Sequence, residues 1–141
     1  MDEKQVLRLF CMIVMAIELT HHQDSVHGNI SSSNIFVNDE CAMLFSFANR
    51  PIQQMWSVYQ GEWYYLAPEL QNTGGRYGYD REQEIWALGM LLLEMLTHYK
   101  PPGNRKEQTI DHGDEEHYKI VGSFSEKAQN LLDIMLCKNP K

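Results

Sequence analysis

Apolar positions at helical spacing open the chain. Over residues 2–23, Val6, Leu7, Leu9, Phe10, Ile13, Val14, Ile17 and Leu19 cover more than one face, with no Pro or Gly between them. They predict a helix that is largely buried. Asp2 and Glu3 suit its N-terminal end, where the helix dipole favours negative charge. Residues 26–34 are polar and Ser-rich and read as a loop. Ile35-Phe36-Val37 and Met43-Leu44-Phe45 are short apolar runs around Asn38-Asp39-Glu40, which predicts a β-hairpin. Residues 48–61 show no period and read as an extended segment.

The second half is helical again. Pro68-Glu69-Leu70 opens a short helical turn, with Pro near its start. Asn72-Thr73-Gly74-Gly75 is a loop by its turn chemistry. Asp80 is a good N-cap, and Gln83 completes a capping box. The helix that follows, to about His98, is apolar on all sides over 85–95 and is broken there only by Glu94. That run is shorter than the ~20 residues that span a bilayer, so it predicts a helix buried in a protein core. Residues 104–122 are polar and charged, with a weak helical pattern over 115–120. Ser125 caps a last helix over 126–137, with Ala128, Leu131, Leu132, Met135 and Leu136 at helical spacing, and Asn139-Pro140 ends it. The expected fold is mainly α, with one small hairpin and no internal repeat.

Charge narrows the function. Nineteen acidic against twelve basic residues give a net charge of −7. That disfavours nucleic acid, whose recognition needs a basic stripe, and an anionic membrane surface. Cys11, Cys41 and Cys137 show neither disulfide nor zinc spacing and read as buried, reduced thiols of an intracellular, cytoplasmic protein.

Four motifs in order carry a family resemblance. Val26-His27-Gly28-Asn29-Ile30-Ser31-Ser32-Ser33-Asn34-Ile35 resembles the protein-kinase catalytic loop H-R-D-L-K-P-x-N-I. Leu44-Phe45-Ser46-Phe47-Ala48 stands where the family has D-F-G. Gly61-Glu62-Trp63-Tyr64-Tyr65-Leu66-Ala67-Pro68-Glu69 is similar to the G-T-x-x-Y-x-A-P-E that closes the activation segment, and Glu84-Ile85-Trp86-Ala87-Leu88-Gly89 to the D-x-W-S-x-G of the central helix. The resemblance implies a protein-kinase-like C-terminal lobe, a partial domain over 1–141. Nothing in these 141 residues resembles the Gly-rich loop, strand Lys and helix Glu of the N-terminal lobe, so the expectation is a C-terminal lobe without it, its ATP cleft lacking a roof. Tyr64-Tyr65 after Gly61 resembles the NIMA-related kinases.

At the site, the resemblance implies lost charges. Asn29 stands for the catalytic Asp, and an amide cannot take a proton at neutral pH. Ser31 stands for the Lys that neutralises the transferring phosphoryl group, and Ser46 for the metal-binding Asp. Asn34 matches the second metal ligand, but magnesium wants hard, usually anionic, oxygens. Asn34 and Phe36 are the remaining candidates for contact with nucleotide, ATP with magnesium being the family's cofactor. Gly28 and Glu62 replace the Arg and Thr that serve phosphorylation-dependent ordering. His27, Phe47, Ala67, Pro68, Glu69, Glu84, Trp86 and Gly89 match structural positions of the family. His27 and Phe47 belong to a stacked apolar column, Glu84 accepts backbone N–H groups, and Glu69 is expected exposed or newly paired. The expected function is a pseudokinase module that binds or scaffolds proteins. The alternative is a C-lobe fragment of a Ser/Thr kinase completed by a missing N-lobe.

Overall fold

The computed structural model describes residues 1–38, 40–45, 50–51, 63–71, 80–98 and 124–137. The expected loop at 72–75 and the charged stretch 104–122 lie outside them, as do Ser46, Phe47 and most of 48–61.

Helix α1 spans Glu3–His22, with Asp2 as its N-cap: the Asp2 carboxylate accepts the Gln5 backbone N–H at 2.7 Å. Its buried face is Val6, Leu9, Phe10, Ile13, Ile17 and Thr20. The expectation of a helix buried on more than one face is corrected here. Leu19 is 63% exposed and Met15 67%, because among the described residues α1 packs through one flank, against strands and the central helix. Cys11 is also exposed, as is Cys137, and Cys41 is half-buried, so the thiols are not the buried groups the sequence suggested.

The polar stretch after α1 is more ordered than a plain loop. Ser25–Val26 (β1) pairs antiparallel with Arg50–Pro51 (β4), and Ser32–Asn34 forms a 3-10 turn. The hairpin is present: Ile35–Val37 (β2) pairs antiparallel with Ala42–Leu44 (β3), with Ile35 opposite Leu44 and Phe36 opposite Met43. Asn38 makes its turn, the side-chain oxygen accepting from Glu40 N at 2.9 Å and Cys41 N at 2.7 Å.

Two helices complete the core. After the short helix α2 (Pro68–Gln71), α3 spans Arg81–Thr97 and ends at His98, which is left-handed (φ 55°). Its start is a reciprocal capping box, in which Asp80 N–H donates to Gln83 Oε1 at 2.7 Å and the Asp80 carboxylate accepts the Gln83 N–H. Helix α4 (Glu126–Met135), capped by Ser125, buries Ala128 and Leu132. Its Leu131 and Ile134 face outward, at 36% and 74% exposure.

The core joins α1, the loop residue Ile30, Tyr64, Tyr65 and Ala67, and the α3 residues Trp86 to Leu92. Gly89 lets α4 approach α3: a Cβ there would lie 2.8 Å from Leu136 Cδ2 and 3.0 Å from Met135 Cβ. Among the described residues no helix is long and apolar enough to cross a membrane.

Candidate functional site

Residues 27–34 form a loop that the core holds from below. His27 is fully buried; its Nδ1 accepts the Asn29 backbone N–H at 3.3 Å. Burial pushes the imidazole pKa down to about 4, while a hydrogen bond with the Phe45 backbone pulls the other way. The ring is therefore neutral near pH 7 and packs as an apolar group with two polar ends. Gly28 adopts φ 76°, a left-handed conformation that strains any residue with a Cβ.

The central helix anchors this turn. Glu84, with no exposed side-chain surface, accepts the Gly28 N–H on Oε1 at 2.6 Å, and its Oε2 lies 2.7 Å from His21 Nε2 at the end of α1. Arg81, one turn earlier, donates to the His21 carbonyl and to Asp24 Oδ1, each at 2.8 Å. One face of α3 thus fixes where α1 ends and the loop begins.

Inside the loop, Asn34 Nδ2 donates to the Asn29 carbonyl at 2.9 Å and to Ser31 Oγ at 3.3 Å. Ser31 is buried, and Asn29 and Asn34 are half-buried. The Asn34 carbonyl accepts the Phe45 N–H at 2.8 Å, which ties the loop to the end of β3. Phe36 projects from β2 with 55% of its surface exposed, beside Met43 at 46%; Phe45, just past β3, is 52% exposed.

Sequence candidates fall into three groups. His27, Asn29, Ser31 and Asn34 converge, with Glu84 beneath and Phe36 at the edge. Ala67, Pro68 and Glu69 sit apart at α2; Glu69 is exposed and accepts from Gln83 Nε2 at 3.2 Å. Trp86 and Gly89 lie in the core of α3, while Ser46 and Phe47 lie outside the described residues. Residues 27–34 contain no carboxylate and no Lys or Arg. A single amide oxygen, from Asn34, does not fit magnesium's demand for hard, charged ligands. Among the described residues no cluster of three His, Cys, Asp or Glu side chains is placed to hold a metal.

Sequence reading missed His21 and Glu94. Glu94 receives hydrogen bonds from both Tyr64 and Tyr65, and Tyr65 Oη accepts the Ser32 N–H at 2.9 Å. A signal for Glu94 was present, since a lone carboxylate in an apolar helical run needs partners. Nothing in one sequence marks His21 out from its neighbour His22.

Comparison with known proteins gives a consistent result. The family model for the protein kinase domain matches residues 1–141. Serine/threonine-protein kinase PLK2 of Mus musculus is 30% identical over 149 residues, covering 100% of this chain and 21% of that protein. Mitogen-activated protein kinase HOG1 of Candida albicans is 32% identical over 98 residues, 67% of this chain and 25% of that protein. The solved structure of the Cydia pomonella granulovirus kinase PK-1 superposes with a TM-score of 0.78 at 19% identity, covering 97% of this chain and 52% of that one. That last likeness is one of fold. The chain spans about a fifth of the length of the mouse relative.

Proposed function

The chain belongs to the protein kinase domain family, and from that premise we propose that it is the C-terminal-lobe part of a Ser/Thr protein kinase domain. Its nucleotide cleft would be completed by an N-terminal lobe supplied from outside this sequence. The observation that carries the reading is the match of all 141 residues to the family, with Ser/Thr kinases among the relatives. The loop 27–34, the hairpin with exposed Phe36, and the anchoring α3 are arranged to support it. The proposed activity is transfer of the ATP γ-phosphate to a protein hydroxyl, attenuated because Asn29 and Ser31 supply neither base nor cation.

A second reading is a pseudokinase that binds or scaffolds protein partners in the cytoplasm without turnover. The loop bonds of Asn34, which satisfy Asn29 and Ser31 within the loop, favour it. A NIMA-related sub-family placement rests on Tyr64-Tyr65 alone.

Thermal melting of the chain joined to the N-terminal lobe that completes the cleft, with ATP, with and without magnesium, separates the two. A magnesium-dependent rise in Tm supports the kinase reading. No rise under either condition leaves the binding module.

A further inference from the structure

Ser32 occupies the position at which the motif H-R-D-L-K-P-x-N carries proline. Proline has no backbone N–H to give. In this chain the Ser32 N–H is present and donates to Tyr65 Oη at 2.9 Å. Tyr65 Oη in turn donates to Glu94 Oε2, and Tyr64 Oη approaches the same oxygen at 3.3 Å. The two tyrosine rings lie 4.3 Å apart between centroids, and Tyr65 is 1% exposed. The three groups come from three places: the loop, the segment before Ala67-Pro68-Glu69, and the far end of α3.

We propose that Tyr65 is a positioning residue: its hydroxyl, backed by Glu94, ties the catalytic-type loop at Ser32 to the segment Trp63–Leu66 through a bond that a proline-containing loop cannot form. Burial raises the Tyr65 hydroxyl pKa well above its ordinary value, with the Glu94 hydrogen bond adding to the rise, so the phenol keeps the proton it donates. The Ser32 N–H has its acceptor in that same oxygen. Among the described residues, other bonds of the loop include one to α3 through Glu84, one to the end of β3 through Phe45, and bonds within the loop itself. The Tyr65 bond joins it to the segment Trp63–Leu66, so displacement of that segment is transmitted to the loop. The inference rests on the loop's place in the family motif and is independent of whether phosphate is transferred.

Amide hydrogen exchange on the intact protein tests it. In Tyr65→Phe, the Ser32 amide is expected to exchange at least about tenfold faster, a change that corresponds to loss of one net hydrogen bond. Amides of Leu88 to Leu92 in α3 are expected to keep their protection. Glu94→Ala should have the same local effect. Glu94→Gln, which still offers an oxygen to the phenol, should leave Ser32 within about twofold of wild type. An unchanged Ser32 amide in Tyr65→Phe overturns the proposal. So does acceleration spread evenly over α1 and α3, the mark of a general loss of packing. If Tyr65→Phe does not fold, Ser32→Pro decides: faster exchange at Tyr65 and Leu66 supports the tie, and unchanged exchange there overturns it.

Discussion

Glu84 and Gly28 are 56 residues apart in sequence, and the carboxylate of the first holds the backbone N–H of the second at 2.6 Å. The other carboxylate oxygen lies 2.7 Å from His21 Nε2, so one fully buried side chain closes both the end of α1 and the start of the loop. Removing it would leave a half-buried N–H and a half-buried imidazole without their acceptor. Glu84→Ala is expected to cost about 3 kcal/mol, or roughly a 10 °C fall in Tm. Glu84→Asp keeps the carboxyl group but retracts it by one methylene from two partners already at short range. It is expected to cost about 1–2 kcal/mol, although Asp is the residue of the family motif. Urea denaturation of the variants checks both; an aspartate variant as stable as wild type contradicts the two-partner role.

The buried His27 gives a pH dependence with a defined sign. Its pKa in the fold is about 4 against an ordinary 6.5, chiefly through burial. Above pH 6.5 the ring is neutral in both states, and its contribution to stability is fully present. Between about 6.5 and 4 the unfolded chain binds the proton and the fold does not, so stability falls as the pH drops. The loss is on the order of 3 kcal/mol by pH 4. Asp80 is raised to about 6, by burial first and by Glu82 second. It acts with the opposite sign, its contribution being lost as pH rises through 6. The comparison of wild type with His27→Phe cancels that term. The wild type is expected to lose more stability than the variant between pH 7 and 4.5 in urea titrations. Parallel losses would show that His27 does not carry the effect.

Gly89→Ala sets two effects against each other. Alanine is the better helix former by about 1 kcal/mol. The added methyl would lie 2.8 Å from Leu136 Cδ2 and 3.0 Å from Met135 Cβ, so the Leu136 side chain must shift and Met135 must give slightly. Overpacking of this kind costs about 1–3 kcal/mol and outweighs the propensity gain. A lower denaturation midpoint is expected. A midpoint equal to or above that of wild type would mean that Leu136 and Met135 yield freely.

The turn of the hairpin depends on one amide. Asn38 Oδ1 accepts two backbone N–H groups, from Glu40 and Cys41. Both are exposed enough for water to replace them in part, so Asn38→Ala is expected to cost only about 1 kcal/mol. Increased exchange at the Cys41 amide, with α3 unchanged, is the readout; no change at Cys41 contradicts it.

Much of the fold was legible because its signals are local. Asp80 with Gln83, Ser125 with Ala128 and the apolar runs at 35–37 and 43–45 announced their elements within a few residues. The strand was offset by one residue, Ala42–Leu44, because an apolar run does not mark where pairing starts. The exposure of Leu19 was not legible, since one sequence cannot say how many flanks of a helix find partners. At the site, the ordered motifs located the loop, but not what holds it. Glu84–His21 spans 63 residues and Ser32–Tyr65 spans 33, and such pairings exist only once the chain is folded.

The most direct measurement is transfer of labelled γ-phosphate from ATP to protein by this chain joined to the N-terminal lobe that completes its cleft, beside a variant carrying Asn29→Asp, Ser31→Lys and Ser46→Asp. The kinase account predicts slow but measurable transfer by the wild type, raised about 10²-fold or more when the lost charges return. No transfer by either protein, both being folded, would contradict it and leave a binding module.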